Sequence, residues 1–329
     1  MSKTALIIGN GPSAKKLLDF GFHNIPDHID TFATSCAFKY CEEINWWPTY
    51  YVLSDRKITF LNQERLSKYI SDPNNPVKKW FLSTDWHYGL SYDFTLLDSG
   101  DEIDYLKEKV SEYEETNKIH YGGGDNKLDY CTECKYCPTP KLEDPYNKIV
   151  PLFSGASGTM AMMITAVSTL WNKDLVISTP KERINEAPGC WPFTSLKNRL
   201  TDVYDKVLLI GIDHDYNNWD PSWFGQKYVD TEVARKFNLT KRESRFMANI
   251  IKLEQDVSHT AAGYFYPGYL KKGDYLTVPK NVNMQKTDYH CKSASDALFF
   301  LGHANAQVFD FGKNNLGTPK YTDIGEFLV

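Results

Sequence analysis

No apolar stretch in this chain approaches the ~18 residues that a membrane-spanning helix needs. A transmembrane helix is therefore not expected, and only peripheral contact with a membrane surface stays open. The chain also lacks a long basic run and carries a net charge of −5. A nucleic-acid backbone, which selects clustered Lys and Arg, is not an expected partner. No leader can be read at the start, because Met1-Ser2-Lys3-Thr4 runs straight into an apolar segment, so a cytoplasmic location is expected. The seven cysteines are an odd number, which favours thiols or metal ligation over a disulfide framework. Aromatic residues, by contrast, are plentiful. The 21 Tyr, 18 Phe and 8 Trp are enough to line surfaces that sugars and bases both favour.

The chain is organised around its first 20 residues. Residues 5–8 (Ala-Leu-Ile-Ile) read as a buried strand. The strand stops at Gly9-Asn10-Gly11-Pro12-Ser13, and apolar spacing resumes through Leu17, Leu18 and Phe20. Strand, Gly-rich turn and helix form the layout that offers backbone N–H groups and a positive helix end to a phosphate. Pro12 suits a first helical turn, where its missing N–H costs nothing. Gly9-x-Gly11-x-x-Ala14 also satisfies the dinucleotide fingerprint, but that pattern wants an acid closing the second strand. The second strand, residues 30–34, ends in Ser35-Cys36 and has its acid, Asp30, at the opposite end, which argues against NAD or FAD. A tight turn with no ligand is the remaining alternative.

Further strands are expected at residues 49–53, 79–82, 206–212 and 306–309, and a helix at 57–70. Strands separated by helical stretches predict an α/β, Rossmann-like, doubly wound and mainly parallel sheet within a single domain spanning residues 1–329. In such sheets ligands lie beyond the carboxyl ends of the strands. Gly9 to Ser13, Ser35 and Ser54 then share one rim. Residues 231–257 read as one or two helices. The aromatic run 264–269 reads as a lid, within a lid and acceptor region over about 214–290.

Three further groups carry candidate chemistry. Residues 119–150 read as an insertion holding Cys131-x-x-Cys134-x-x-Cys137. Three thiolates at two-residue gaps can share a structural zinc if a fourth ligand is found; unbound thiols and an iron–sulfur cluster are the alternatives. Ser157-Gly158 opens a small, apolar helix, a second anion-friendly terminus or simply a cap. Asp213-His214-Asp215 follows the apolar strand 206–212, and two short carboxylates on a strand-end turn suit Mn²⁺ or Mg²⁺ carrying phosphate oxygens, or an ordinary turn.

Several pieces in chain order resemble one family. Ile7-Ile8-Gly9-Asn10-Gly11-Pro12-Ser13 resembles the opening of the bacterial sialyltransferases of glycosyltransferase family 42. Ser157-Gly158 resembles their Ser-Gly helix mouth, and Leu209-Ile210-Gly211-Ile212-Asp213 their late strand. His290 with Lys292-Ser293 is similar to the segment that carries their catalytic His. A related group shares the Gly-x-Gly-Pro-Ser start and includes archaeal 6-hydroxymethylpterin diphosphokinases and flagellin-linked glycosyltransferases.

The resemblance implies transfer of a sugar from a nucleotide-activated donor to an acceptor hydroxyl on a glycan or other molecule, with no cofactor required. It implies that Gly9, Asn10, Gly11, Pro12, Ser13, Ser35, Ser54, Ser157, Gly158 and Asp213 hold the nucleotide. His290 would be the general base, with Tyr216 and Tyr228 donating hydrogen bonds to the leaving phosphate. Ser35 and Ser54 stand where the sialyltransferases place Asn, and Tyr216 falls one residue late, with Asp215 extra. The alternatives are an ATP-dependent diphosphokinase, which would need a divalent ion, and a zinc-stabilised scaffold without catalysis.

Overall fold

A computed structural model describes residues 3–53, 56–82, 140–151, 204–213, 234–240, 244, 247, 250–277, 307–312 and 319–328. Nine strands and four α-helices are described from end to end. In chain order they are β1 (Thr4–Ile8), α1 (Lys15–Phe20), β2 (Ile29–Thr34), α2 (Phe38–Ile44), β3 (Tyr50–Leu53), α3 (Arg56–Leu61) and α4 (Gln63–Ile70). There follow β4 (Lys79–Leu82), β5 (Ile149–Pro151), β6 (Lys206–Ile210), β7 (Ile250–Lys252), β8 (Tyr275–Thr277) and β9 (Gln307–Asp310). The main sheet has seven strands in the order β5-β4-β3-β2-β1-β6-β9. Every pairing in it is parallel.

The sequence explains this directly. β1 (Thr-Ala-Leu-Ile-Ile) and β6 (Lys-Val-Leu-Leu-Ile) are continuous apolar runs rather than alternating ones, as strands covered on both faces require. Leu6 and Ile8 on one face and Ala5 and Ile7 on the other are all buried, as are Leu208, Ile210, Val207 and Leu209. Against the face carrying Leu6 and Ile8 pack Leu17 of α1, Phe22 and Tyr40. Further along, Tyr51, Leu53, Trp80 and Leu82 pack with Phe38 of α2 and with Leu66 and Ile70 of α4. Tyr51 and Trp80 stack with ring centroids 4.8 Å apart.

Three features differ from the expectations above. The helix expected over 57–70 is two helices, broken at Asn62. Its side-chain amide donates to the Ile58 carbonyl (2.8 Å), competing with the helical ladder as Asn does at helix ends. Residues 231–257 are not helical throughout, because Ile250–Lys252 is a strand paired antiparallel with Tyr275–Thr277. The aromatic run 264–269 is a lid in the sequence reading and core in the structure. Tyr264, Phe265, Tyr266 and Tyr269 are buried in the cluster with Leu6, Leu17 and Tyr40. It is fastened from α2, where Lys39 donates to the Tyr269 carbonyl (3.0 Å) and pairs with Asp274 (2.6 Å), and where Glu43 accepts from the Tyr266 hydroxyl.

Candidate functional site

The strand order fixes where a site can form. From β1 the chain runs outward through β2, β3, β4 and β5, then returns to lay β6 on the other side of β1. The turns leaving β1 and β6 therefore part at a topological switch point, the usual ligand-binding place in such sheets. Gly9 to Ser13 and Gly211 to Asp213 meet there.

They meet very closely. Gly9 N–H donates to the Ile210 carbonyl and Gly11 N–H to the Gly211 carbonyl, each at 2.7 Å. Ser13 N–H donates to Asp213 Oδ2 (2.6 Å), and Gly211 N–H donates to Ser13 Oγ (2.9 Å). A Cβ on Gly11 would stand 2.5 Å from Asp213 Oδ2 and 2.8 Å from the Gly211 oxygen, so only glycine fits. Gly211 itself has φ +72°, where a side chain would be strained. The glycines let one turn pack on the other.

This geometry bears on the expected phosphate cradle. Ala14 N–H donates to the Gly11 carbonyl (3.1 Å), and Pro12 has no N–H. From Gly9 to Ala14, every N–H but that of Asn10 is spent on the protein's own acceptors. The Asp213 carboxylate, completely buried, sits at the start of the helical turn where a ligand anion would otherwise be favoured. Asp213 is thus tied into the scaffold, and one of its oxygens is already taken by an N–H donor. Among the described residues there is no group of three or more His, Cys, Asp or Glu that could hold a metal ion.

Two polar residues on the same rim are more accessible. Asn10 is half-buried; its side-chain Nδ2 donates to the Thr34 carbonyl (3.2 Å) and its backbone carbonyl accepts from Phe265 N–H (3.1 Å). Asn10 therefore ties β1, β2 and the aromatic segment together. Ser35, also half-buried, has φ +58°, a left-handed conformation uncommon outside glycine. The Tyr51 hydroxyl stabilises it by donating to the Ser35 carbonyl (2.7 Å) while accepting from Phe38 N–H (2.7 Å). Burial, with smaller contributions from Cys41 and Cys36, pushes the Tyr51 phenol well above its ordinary pKa. It stays protonated and keeps both bonds.

Of the expected site residues, Gly9, Asn10, Gly11, Pro12, Ser13, Ser35 and Asp213 come together at this rim. Ser54, Ser157, Gly158, Asp215, Tyr216, Tyr228, His290, Cys131, Cys134 and Cys137 lie outside the described residues. The sequence reading missed Asp310, a fully buried carboxylate closing β9, held by Lys320 (2.6 Å) and Gly312 N–H (2.8 Å). The pattern of an apolar strand ending in Asp with glycine two residues on, Phe309-Asp310-Phe311-Gly312, could have flagged it.

Among the described residues no helix is long and apolar enough to cross a membrane. Comparison with protein-family models, curated proteins and solved structures finds no match for this chain.

Proposed function

We propose that the protein is a glycosyltransferase of the cytoplasm. It binds a nucleotide-activated sugar beyond the carboxyl ends of β1, β2 and β6 and passes the sugar to an acceptor hydroxyl. The observation that supports this most is the junction of the Gly9–Ser13 and Gly211–Asp213 turns at the switch point. Asn10 and Ser35 stand beside it with polar groups at the rim. In this reading His290 takes the acceptor's proton, since an imidazole titrates near working pH without much tuning. Tyr216 and Tyr228 donate to the leaving phosphate, and Ser157 with Gly158 meets it from a helix mouth. Charge on the leaving group is then met by hydroxyl donors, and no metal is needed for transfer. Zinc at Cys131, Cys134 and Cys137 would serve the fold alone.

The test is a thermal-shift panel of CMP, CDP, UDP, GDP, ADP, ATP and NAD, each with and without Mn²⁺. A ligand present at ~100 times its dissociation constant, and bound only by the native state, adds about 2.7 kcal/mol and a readable shift. Stabilisation by one nucleoside mono- or diphosphate without Mn²⁺ is expected. Sugar transfer from the matching donor should survive EDTA, and His290→Ala should abolish it while binding persists. A shift with ATP and divalent ion alone would replace this reading with a diphosphokinase. A flat panel would sink both.

A further inference from the structure

A buried cation at the carboxyl end of the sheet has no part in the site as described so far. Lys57 lies on α3, the helix that leaves β3, and is only 7% exposed. Among the described residues it is the one Lys or Arg that is buried. Residues 57–60 are buried in succession, and four residues at 3.6 per turn point to every side of a helix. A helix enclosed on all sides is ordinarily apolar throughout, yet this one carries Lys57. Lysine is almost never enclosed unless an anion meets its charge. Its place on the helix directs that charge. Lys57 stands one turn before Phe60 and Leu61 on the same side of α3, and those two pack with Met247 and Ile250. β7 therefore closes the outer part of that side. Helical side chains lean towards the helix start. Lys57 thus leans back to the carboxyl end of β3, on the rim where ligands bind. β3 is two strands from β1, about 10 Å along the rim. Three other lysines near this rim are engaged by the protein. Lys39 pairs with Asp274 (2.6 Å), Lys320 pairs with Asp310 (2.6 Å), and Lys16 reaches the Phe311 carbonyl (3.5 Å). The Gly9–Ser13 turn brings no cation and has the Asp213 carboxylate bonded to it. An ammonium has three donors, so Lys57 can serve an acceptor of the protein and a ligand oxygen together.

We infer that Lys57 binds an oxyanion of the substrate beyond the carboxyl end of β3, either the donor's phosphate or a sugar carboxylate. This rests on the nucleotide-binding reading above and supplies that site with its positive charge.

The experiment measures affinities by calorimetry at about 0.15 M salt, where the Debye length of about 8 Å suppresses distant charge effects. The ligands are cytidine, uridine, guanosine and adenosine, their 5′-monophosphates, and glucose and glucuronate. Each is measured on wild type, Lys57→Met and Lys57→Arg. Lys57→Met removes the charge and keeps an unbranched side chain. In it the nucleoside and glucose should stay within about threefold of wild type. The matching anion should bind roughly 10- to 100-fold more weakly, the value of a hydrogen bond to a charged group. Weakening of the monophosphate names the phosphate as the ligand, and weakening of glucuronate names the carboxylate. Lys57→Arg keeps the charge and should recover most of the loss. Equal weakening of an anion and its neutral partner, or an anion left unchanged, overturns the inference. Should Lys57→Met fail to fold, the wild-type ammonium decides. Its nitrogen-15 signal, identified by its absence from Lys57→Arg, should move with the anion and not with the neutral partner. A signal that stays in place, or moves equally with both, overturns the inference. If wild type takes up neither nucleosides nor monophosphates, the nucleotide reading falls and this inference with it. If nucleotides bind and Lys57→Met treats anion and neutral ligand alike, only this inference falls.

Discussion

The two ends of the parallel sheet handle polar groups in opposite ways. At the amino end, Asp30 of β2 accepts from the Tyr204 hydroxyl (2.8 Å) and lies 3.5 Å from the Lys78 ammonium. Lys3 N–H donates to Asp205 (2.7 Å), and the Lys3 ammonium lies 5.0 Å from the centre of the Tyr204 ring. Thr31 and Thr49 exchange backbone-to-hydroxyl bonds. Polar groups there answer one another, which is how a scaffold closes an end. At the carboxyl end the innermost layer is closed in the same way, by Asp213, Ser13 and Gly211. The outer layer, Asn10 and Ser35, keeps hydrogen-bonding capacity to spare. A rim that is closed within and open without suits ligand binding; an end that is closed throughout suits stability alone.

The largest break in this contrast should come from Gly11→Ala. Its methyl would press on the Asp213 carboxylate and the Gly211 carbonyl, both fixed by hydrogen bonds. A loss of about 3 kcal/mol or outright failure to fold is expected, read as a lower urea midpoint at unchanged m-value. A near-neutral Gly11→Ala would mean the two turns can separate.

At the other end, Tyr204→Phe should cost only ~1 kcal/mol, the net value of one hydrogen bond. It should leave nucleotide binding untouched. Burial first, then the Asp30 carboxylate, raises the Tyr204 pKa. The native phenol thus stays protonated where the unfolded one ionises. The contribution is complete below pH ~10 and is lost as pH climbs further, so the gap between wild type and variant should narrow in alkali. A gap that widens above pH ~10 would contradict the direction of the shift.

The smallest effect expected is a gain. Ser35→Gly relieves a left-handed backbone and should stabilise by about 0.5 kcal/mol, the relief being partly offset by the entropy of glycine. The same change removes the rim hydroxyl and should weaken nucleoside binding. Stability and affinity moving in opposite directions would mark Ser35 as held in place for a ligand. A loss of stability would instead mark a purely structural turn.

How much of this could be read beforehand depended on whether the signal was local. β1, β4 and β6 stand out because buried parallel strands are continuous apolar runs bounded by polar or glycine residues. The glycine turn was visible for the same reason, but its partner was not. The spacing of Gly9 and Gly11 shows that something approaches closely and cannot show that it is Gly211 and Asp213, some 200 residues on. A phosphate cradle and a turn-on-turn junction leave the same glycines in the sequence. The aromatic run 264–269 misled through composition: Pro, Gly and Tyr indicate a loop, and that loop is buried because Lys39, Glu43 and Asn10 satisfy its polar groups. β7 is too short, at three residues, for any periodicity to show.

The bond from Ser13 to Asp213 spans 200 positions in the chain, and this has a consequence during synthesis. β1 is made well before β6 and can pair with β2 early, yet its other edge waits for β6. At 5–20 residues per second, that edge stays without its partner for roughly 10–40 s on the ribosome. A bare apolar strand edge is a template for wrong pairings. The strand that organises the finished protein is thus the one the nascent chain must shield longest.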